Sequence, residues 1–102
     1  MPTISGSDIR KLVVACDAGM GSSVMLAGQL KKQLKKHPVE VTHTPVHEIP
    51  ADADLIVTHQ QLAERVRAAA PGVPVVPFLL FLGDPAVAKV VAAVQNGTSL
   101  DV

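Results

Sequence analysis

Cys16-Asp17-Ala18-Gly19-Met20-Gly21-Ser22-Ser23 constrains the fold more than any other stretch of this chain. It follows the apolar run Leu12-Val13-Val14-Ala15 and precedes a long helical pattern. A strand therefore runs into a glycine-loosened turn, and the turn runs into a helix N-terminus. The one cysteine of the chain stands at that hinge. In such a turn the backbone N–H groups and the first helical turn form a cradle for an anion. The same field stabilises a thiolate, and the hydroxyls of Ser22 and Ser23 add donors. A thiolate held beside an anion site points to a phosphorylated cysteine. The plainer alternative for Cys16 is a buried strand residue acting as a small hydrophobe.

Related loops are separated by single residues. A Walker loop needs a second glycine where Val24 stands, followed by lysine, and so is excluded. A dinucleotide fingerprint needs a third glycine, and Gly19-Met20-Gly21-Ser22-Ser23-Val24 lacks it, although Glu40 lies near the expected ribose-binding spacing. A cysteine phosphatase loop places arginine six residues after the nucleophile. That position is Ser22, with Ser23 at the hydroxyl position after it. Arginine would clamp the phosphate bidentately and stabilise its hydrolysis. A loop without it can hold a phosphoryl group and still pass it on.

The rest of the pattern alternates strand and helix. Lys11–Cys16 is a continuous apolar run, as expected of a central strand buried on both faces. Ser22 or Ser23 caps a helix reaching about Lys36, with Val24, Ala27, Leu30 and Leu34 as its buried stripe. Lys31, Lys32, Lys35 and Lys36 complement its C-terminal dipole, and His37-Pro38 ends it. Val39–His43 forms a second strand, 44–54 a connection with room for one helical turn, and Leu55–Thr58 a third strand. Gln60–Ala70 is a short helix that turns Leu62 and Val66 inward. Val73–Pro77 is an edge strand because of its prolines. Asp84-Pro85 opens a last helix that Asn96-Gly97 closes. The expected fold is α/β, a three-layer α/β/α sandwich with a four-stranded parallel sheet of order 2-1-3-4. Residues 11–95 form the domain, 1–10 a loose lead and 96–102 a fraying tail. Cys16 then lies at the topological switch point, with Thr58-His59 and Pro77-Phe78 on the same edge.

Composition removes several classes of function. The chain has 102 residues, 48% of them apolar, which is enough for one cored domain. Nine basic and nine acidic residues balance to zero, and there is no Trp or Tyr, so nucleic-acid binding is not expected. A lone cysteine fits a reducing cytoplasm. The N-terminal residues lack a signal-peptide core, and no run approaches the roughly 20 apolar residues of a membrane span.

His37, His43 and His47 are surface or structural residues, since their spacing with no other thiol makes a poor metal site. His59 either touches the phosphoryl group or its donor, or bonds the loop backbone. Asp17 either bonds the loop amides or meets a partner. Met20 and Phe78–Leu82 offer an apolar rim for docking, and Phe78–Leu82 equally suits packing under the last helix.

Val13-Val14-Ala15-Cys16-Asp17-Ala18-Gly19-Met20-Gly21-Ser22-Ser23 closely resembles the phosphocysteine loop of enzyme IIB domains of the sugar phosphotransferase system, mannitol-type branch. Val57-Thr58-His59 with Leu62 and Glu64-Arg65 resembles a second motif of that branch, I-T-H-R-D-L-x-E-R. Gln60 and Gln61 replace its basic and acidic residues. The resemblance covers residues 11–95. It implies that Cys16 accepts a phosphoryl group from phosphohistidine of enzyme IIA and passes it to a sugar alcohol, mannitol, bound in membrane-embedded IIC. The amides of Asp17, Ala18, Gly19, Met20, Gly21, Ser22 and Ser23 would hold the group in flight, with the Ser23 hydroxyl nearest the sulfur and Thr58 and His59 as auxiliaries. No metal, nucleotide or other cofactor is called for. The domain would be cytoplasmic, docking at the inner face of the membrane. Other readings are a IIB-like regulatory or sensor module, a phosphatase and a redox thiol protein.

Overall fold

A computed structural model describes residues 3–16, 21–79 and 84–101. In chain order it contains β1 (Thr3–Ser5), β2 (Lys11–Cys16), α1 (Gly21–Gln33), β3 (Glu40–Pro45), β4 (Leu55–His59), α2 (Ala63–Ala69), β5 (Val75–Phe78), α3 (Pro85–Asn96) and β6 (Ser99–Asp101). Single 3-10 turns lie at Gly6–Asp8, Val46–Glu48 and Gln60–Leu62.

Four parallel strands form the main sheet in the order β3-β2-β4-β5. This is the expected 2-1-3-4 arrangement once β1 is counted ahead of it. β2 is central because its side chains are apolar on both faces. Leu12 and Val14 enter one cluster with Leu26, Leu30, Val57, Val90 and Phe78, while Val13 and Ala15 enter another with Val46, Ile56, Leu62 and Val66. The first cluster is roofed by α1 and α3, the second by α2 and the turns beside it, which makes three layers. The edges are β3, with His43 exposed, and β5, where Pro77 pairs with Thr58.

Side chains clamp β2 at its start. Asp54 Oδ2 accepts from the amides of Arg10 (3.0 Å) and Lys11 (2.9 Å). Lys11 Nζ lies 3.1 Å from Asp52, and that hydrogen-bonded carboxylate holds the Lys11 ammonium above its ordinary range.

Some local expectations shift. α1 begins at Gly21, so Ser22 and Ser23 lie inside its first turn and are not its caps. Its buried stripe is Leu26, Ala27 and Leu30, continued by Leu34 in the turn that follows, whereas Val24 is 50% exposed. At 100° per residue Val24 lies well off the line through Leu26 and Leu30. α1 also stops at Gln33, before the three-residue turn that precedes Pro38.

The ends depart further from a loose lead and a frayed tail. β1 and β6 pair antiparallel, Thr3 opposite Asp101 and Ser5 opposite Ser99. Gly6 makes this possible, because a Cβ built there would sit 1.8 Å from the Ala93 carbonyl oxygen. Gly97 closes α3 at φ 65°, and the Thr98 amide bonds the Ala93 carbonyl in a Schellman-type closure that turns the chain back into β6.

Candidate functional site

Cys16 is the last residue of β2. The residue is 8% exposed, and its thiol donates to the Thr44 carbonyl of β3 at 3.5 Å. α1 starts five positions later, so its first-turn amides, which a helix leaves without acceptors of its own, stand at the same sheet edge as Cys16. The backbone of Gly21, Ser22 and Ser23 belongs to that turn. Asp17, Ala18, Gly19 and Met20, and the side chains of Ser22 and Ser23, lie outside the described residues. The loop contacts expected of them therefore remain expectations.

β4 brings Thr58 and His59 to this edge. Thr58 is fully buried, and its hydroxyl donates to the Ala15 carbonyl at 3.0 Å. The β2–β4 pairing ends at Ala15 opposite Thr58, so Cys16 and His59 are the next positions out on adjacent strands. By strand alternation they project to the same face. His59 Nδ1 accepts from the Gln61 amide at 3.1 Å, which starts the turn into α2. In the neutral ring the proton then resides on Nε2. The His59 ring stands edge-on to Phe78, with centroids 5.8 Å apart.

Phe78 is buried among α3 residues, so of the two expectations for it the structure realises packing under the last helix. Leu79, the next residue, is 63% exposed, and 80–83 lie outside the described residues. Asp84 closes this side. Its Oδ1 accepts from the Ala86 amide and its Oδ2 from the Leu79 amide, both at 2.7 Å. The cap on α3 was legible in Asp84-Pro85. The bond back to Leu79 carries no sequence signal, because it depends on where β5 ends.

Among the described residues no three His, Cys, Asp or Glu side chains gather as metal ligands, and no helix is long and apolar enough to cross a membrane. Two hollows lie elsewhere. One of about 390 Å³ separates α1 from α3, and one of about 440 Å³ lies by Gly6, Arg10 and His37. Neither is lined by Cys16.

A lone thiol ends the central strand of a parallel sheet, ahead of a helix N-terminus, in a small three-layer α/β domain. The profile of the family described as PTS system, lactose/cellobiose-specific IIB subunit matches residues 11–93, and the chain belongs to this IIB family. It is 38% identical over 84 residues to the mannitol-specific EIICB component of Bacillus subtilis, covering 80% of this chain and 18% of that protein. It is 44% identical over 68 residues to the mannitol-specific EIICBA component of Escherichia coli, covering 64% and 11%. It is 45% identical over 65 residues to the mannitol-specific EIICB component of Geobacillus stearothermophilus, covering 62% and 14%. The chain thus spans less than a fifth of the length of these relatives.

Proposed function

We propose that this chain is a phosphocarrier of sugar uptake in which Cys16 carries the phosphoryl group. The observation that supports it most is the position of Cys16, at the end of the central strand and ahead of the α1 N-terminus, in a chain of the IIB family. In the first step the Cys16 thiolate attacks the phosphorus of a phosphohistidine on enzyme IIA. An S–P bond forms, the N–P bond breaks, and the electron pair returns to the imidazole nitrogen. In the second step a hydroxyl of the sugar alcohol held by IIC attacks the same phosphorus. An O–P bond forms, the thiolate leaves with the S–P electron pair, and the hydroxyl proton is released. The loop amides from Asp17 to Ser23 and the hydroxyls of Ser22 and Ser23 stabilise the group in flight by position and charge. The mannitol-specific relatives favour mannitol as the sugar alcohol. Their fusion names, EIICB and EIICBA, favour IIC and IIA as partners, and docking on IIC at the inner face of the membrane is part of this reading.

The exposed apolar side chains Val24, Met25 and Leu79 suit a docking rim around the loop. His59 stands beside Cys16 in register, with Nε2–H as its donor in the neutral ring.

Intact-mass measurement tests the reading. With phosphoenolpyruvate and the relay proteins supplied, the chain should gain one phosphoryl group. Cys16→Ser should not gain a thiol-bound one. An unmodified wild-type chain, or an adduct that persists without Cys16, would falsify it.

A further inference from the structure

We propose that Thr58 is the positioning residue of the Cys16 thiol, acting through the Ala15 peptide; the proposal rests on the phosphocarrier reading. Thr58 is 0% exposed, in the strand that sends Ile56 to the apolar layer of Val13, Leu62 and Val66. Valine has nearly the same shape and would fill such a place without a polar group. A hydroxyl there is unfavourable unless it is bonded. It is bonded, at 3.0 Å, to the Ala15 carbonyl oxygen.

The identity of that acceptor is what matters. The Ala15 carbonyl and the Cys16 nitrogen and Cα belong to one peptide plane, which is rigid. Fixing the oxygen fixes where the Cys16 Cα sits and which way its Cβ leaves the strand. Ala15 is also the last residue of β2 paired with β4, so the bond falls where the pairing of these two strands ends. On the other side, the Cys16 thiol is held by donating its proton to the Thr44 carbonyl at 3.5 Å. That bond is lost whenever the sulfur is deprotonated or phosphorylated. The Thr58 bond uses no atom of the reaction and persists through the whole cycle. It keeps the sulfur in line while the thiol's own hydrogen bond comes and goes.

Asp54 supplies the control. It clamps the same strand at its other end, through the Arg10 and Lys11 amides, six and five residues before Cys16. A clamp that only stabilises the fold should behave the same at either end.

The test compares Thr58→Val, Thr58→Ser and Asp54→Ala in the full chain. Two readouts are taken: transfer to Cys16 from phosphorylated IIA, and the pH profile of Cys16 alkylation by iodoacetamide. Thr58→Val should lower the maximal transfer rate roughly tenfold with the donor KM unchanged, a scale set by sub-ångström misplacement of a reacting atom. Thr58→Ser should stay within about twofold of wild type, and Asp54→Ala should lose stability without losing rate. Alkylation of Thr58→Val should differ from wild type by about threefold or more, or follow a displaced pH profile. Wild-type behaviour of Thr58→Val in both readouts overturns the proposal, as does Thr58→Ser being as slow as Thr58→Val. If Thr58→Val does not fold, Thr58→Ala, which admits water to the freed carbonyl, takes its place in the same comparison. If the wild-type chain accepts no phosphoryl group, the phosphocarrier reading falls, and the alkylation comparison alone decides the role of Thr58.

Discussion

At the scale of single residues, the carboxyl edge of the sheet is held by polar groups that each serve a backbone atom. Thr58 bonds the Ala15 carbonyl, His59 the Gln61 amide, and Asp84 the amides of Leu79 and Ala86. Their removal should separate from removal of the thiol. His59→Ala loses the turn bond and the contact with Phe78, so it should lower stability by about 1 kcal/mol in urea unfolding. It should slow transfer far less than Cys16→Ser, which abolishes it. Asp84→Ala should cost about 1–3 kcal/mol, because the helix cap and the bond to the Leu79 amide are lost together. A denaturation midpoint equal to wild type would show that the Leu79 and Ala86 amides find other partners. The strand-end place of Cys16 and the cap at Asp84 were legible because their signals are local, an apolar run that stops before a glycine-containing stretch and an Asp-Pro pair. The acceptors of Thr58 and of the Cys16 thiol were not legible. They are carbonyls of neighbouring strands 43 and 28 positions away, and strand register chooses them.

At the scale of elements, α1 starts at the sheet edge that holds Cys16 and supplies a face of the core. Its sequence offers Val24, Met25, Leu26, Ala27 and Leu30 as apolar residues, and spacing alone fits two overlapping stripes. Packing against the sheet selects Leu26, Ala27 and Leu30 and turns Val24 and Met25 to solvent. Leu26→Ala should therefore cost about 2–5 kcal/mol, while Val24→Ala should stay within about 0.5 kcal/mol of wild type. Urea unfolding of the two variants measures this directly. The β1–β6 ribbon depends on a close approach of a different kind. Gly6→Ala would drive a methyl group into the Ala93 carbonyl, and an overpacking cost of about 1–3 kcal/mol is expected. Transfer to Cys16 should be unchanged in that variant, because the ribbon joins the chain at the amino end of β2 and the thiol lies at its carboxyl end.

At the scale of the whole molecule, Cys16 and the β1–β6 ribbon occupy opposite poles. Strands run from the β1–β6 pole toward Cys16, and α1 and α3 run back. The exposed apolar side chains Val24, Met25 and Leu79 are found at the Cys16 pole. If this rim receives the donor, Met25→Lys or Leu79→Lys should raise the donor KM several-fold with no change in melting temperature, since neither side chain contributes to the core. The alternation of strand and helix determined by itself a parallel three-layer fold, the central place of Lys11–Cys16, and the placing of the thiol at the switch point. Those features follow from runs of neighbouring residues, and hydrophobic period and right-handed crossover carry them to three dimensions. The tertiary structure alone decided the pairing of the two chain ends, the face that α1 buries, and the hydroxyl that holds the Cys16 peptide. Each of these is a contact between residues far apart in sequence. Nothing in either segment alone encodes it, and only packing of the sheet against its helices brings the partners within reach.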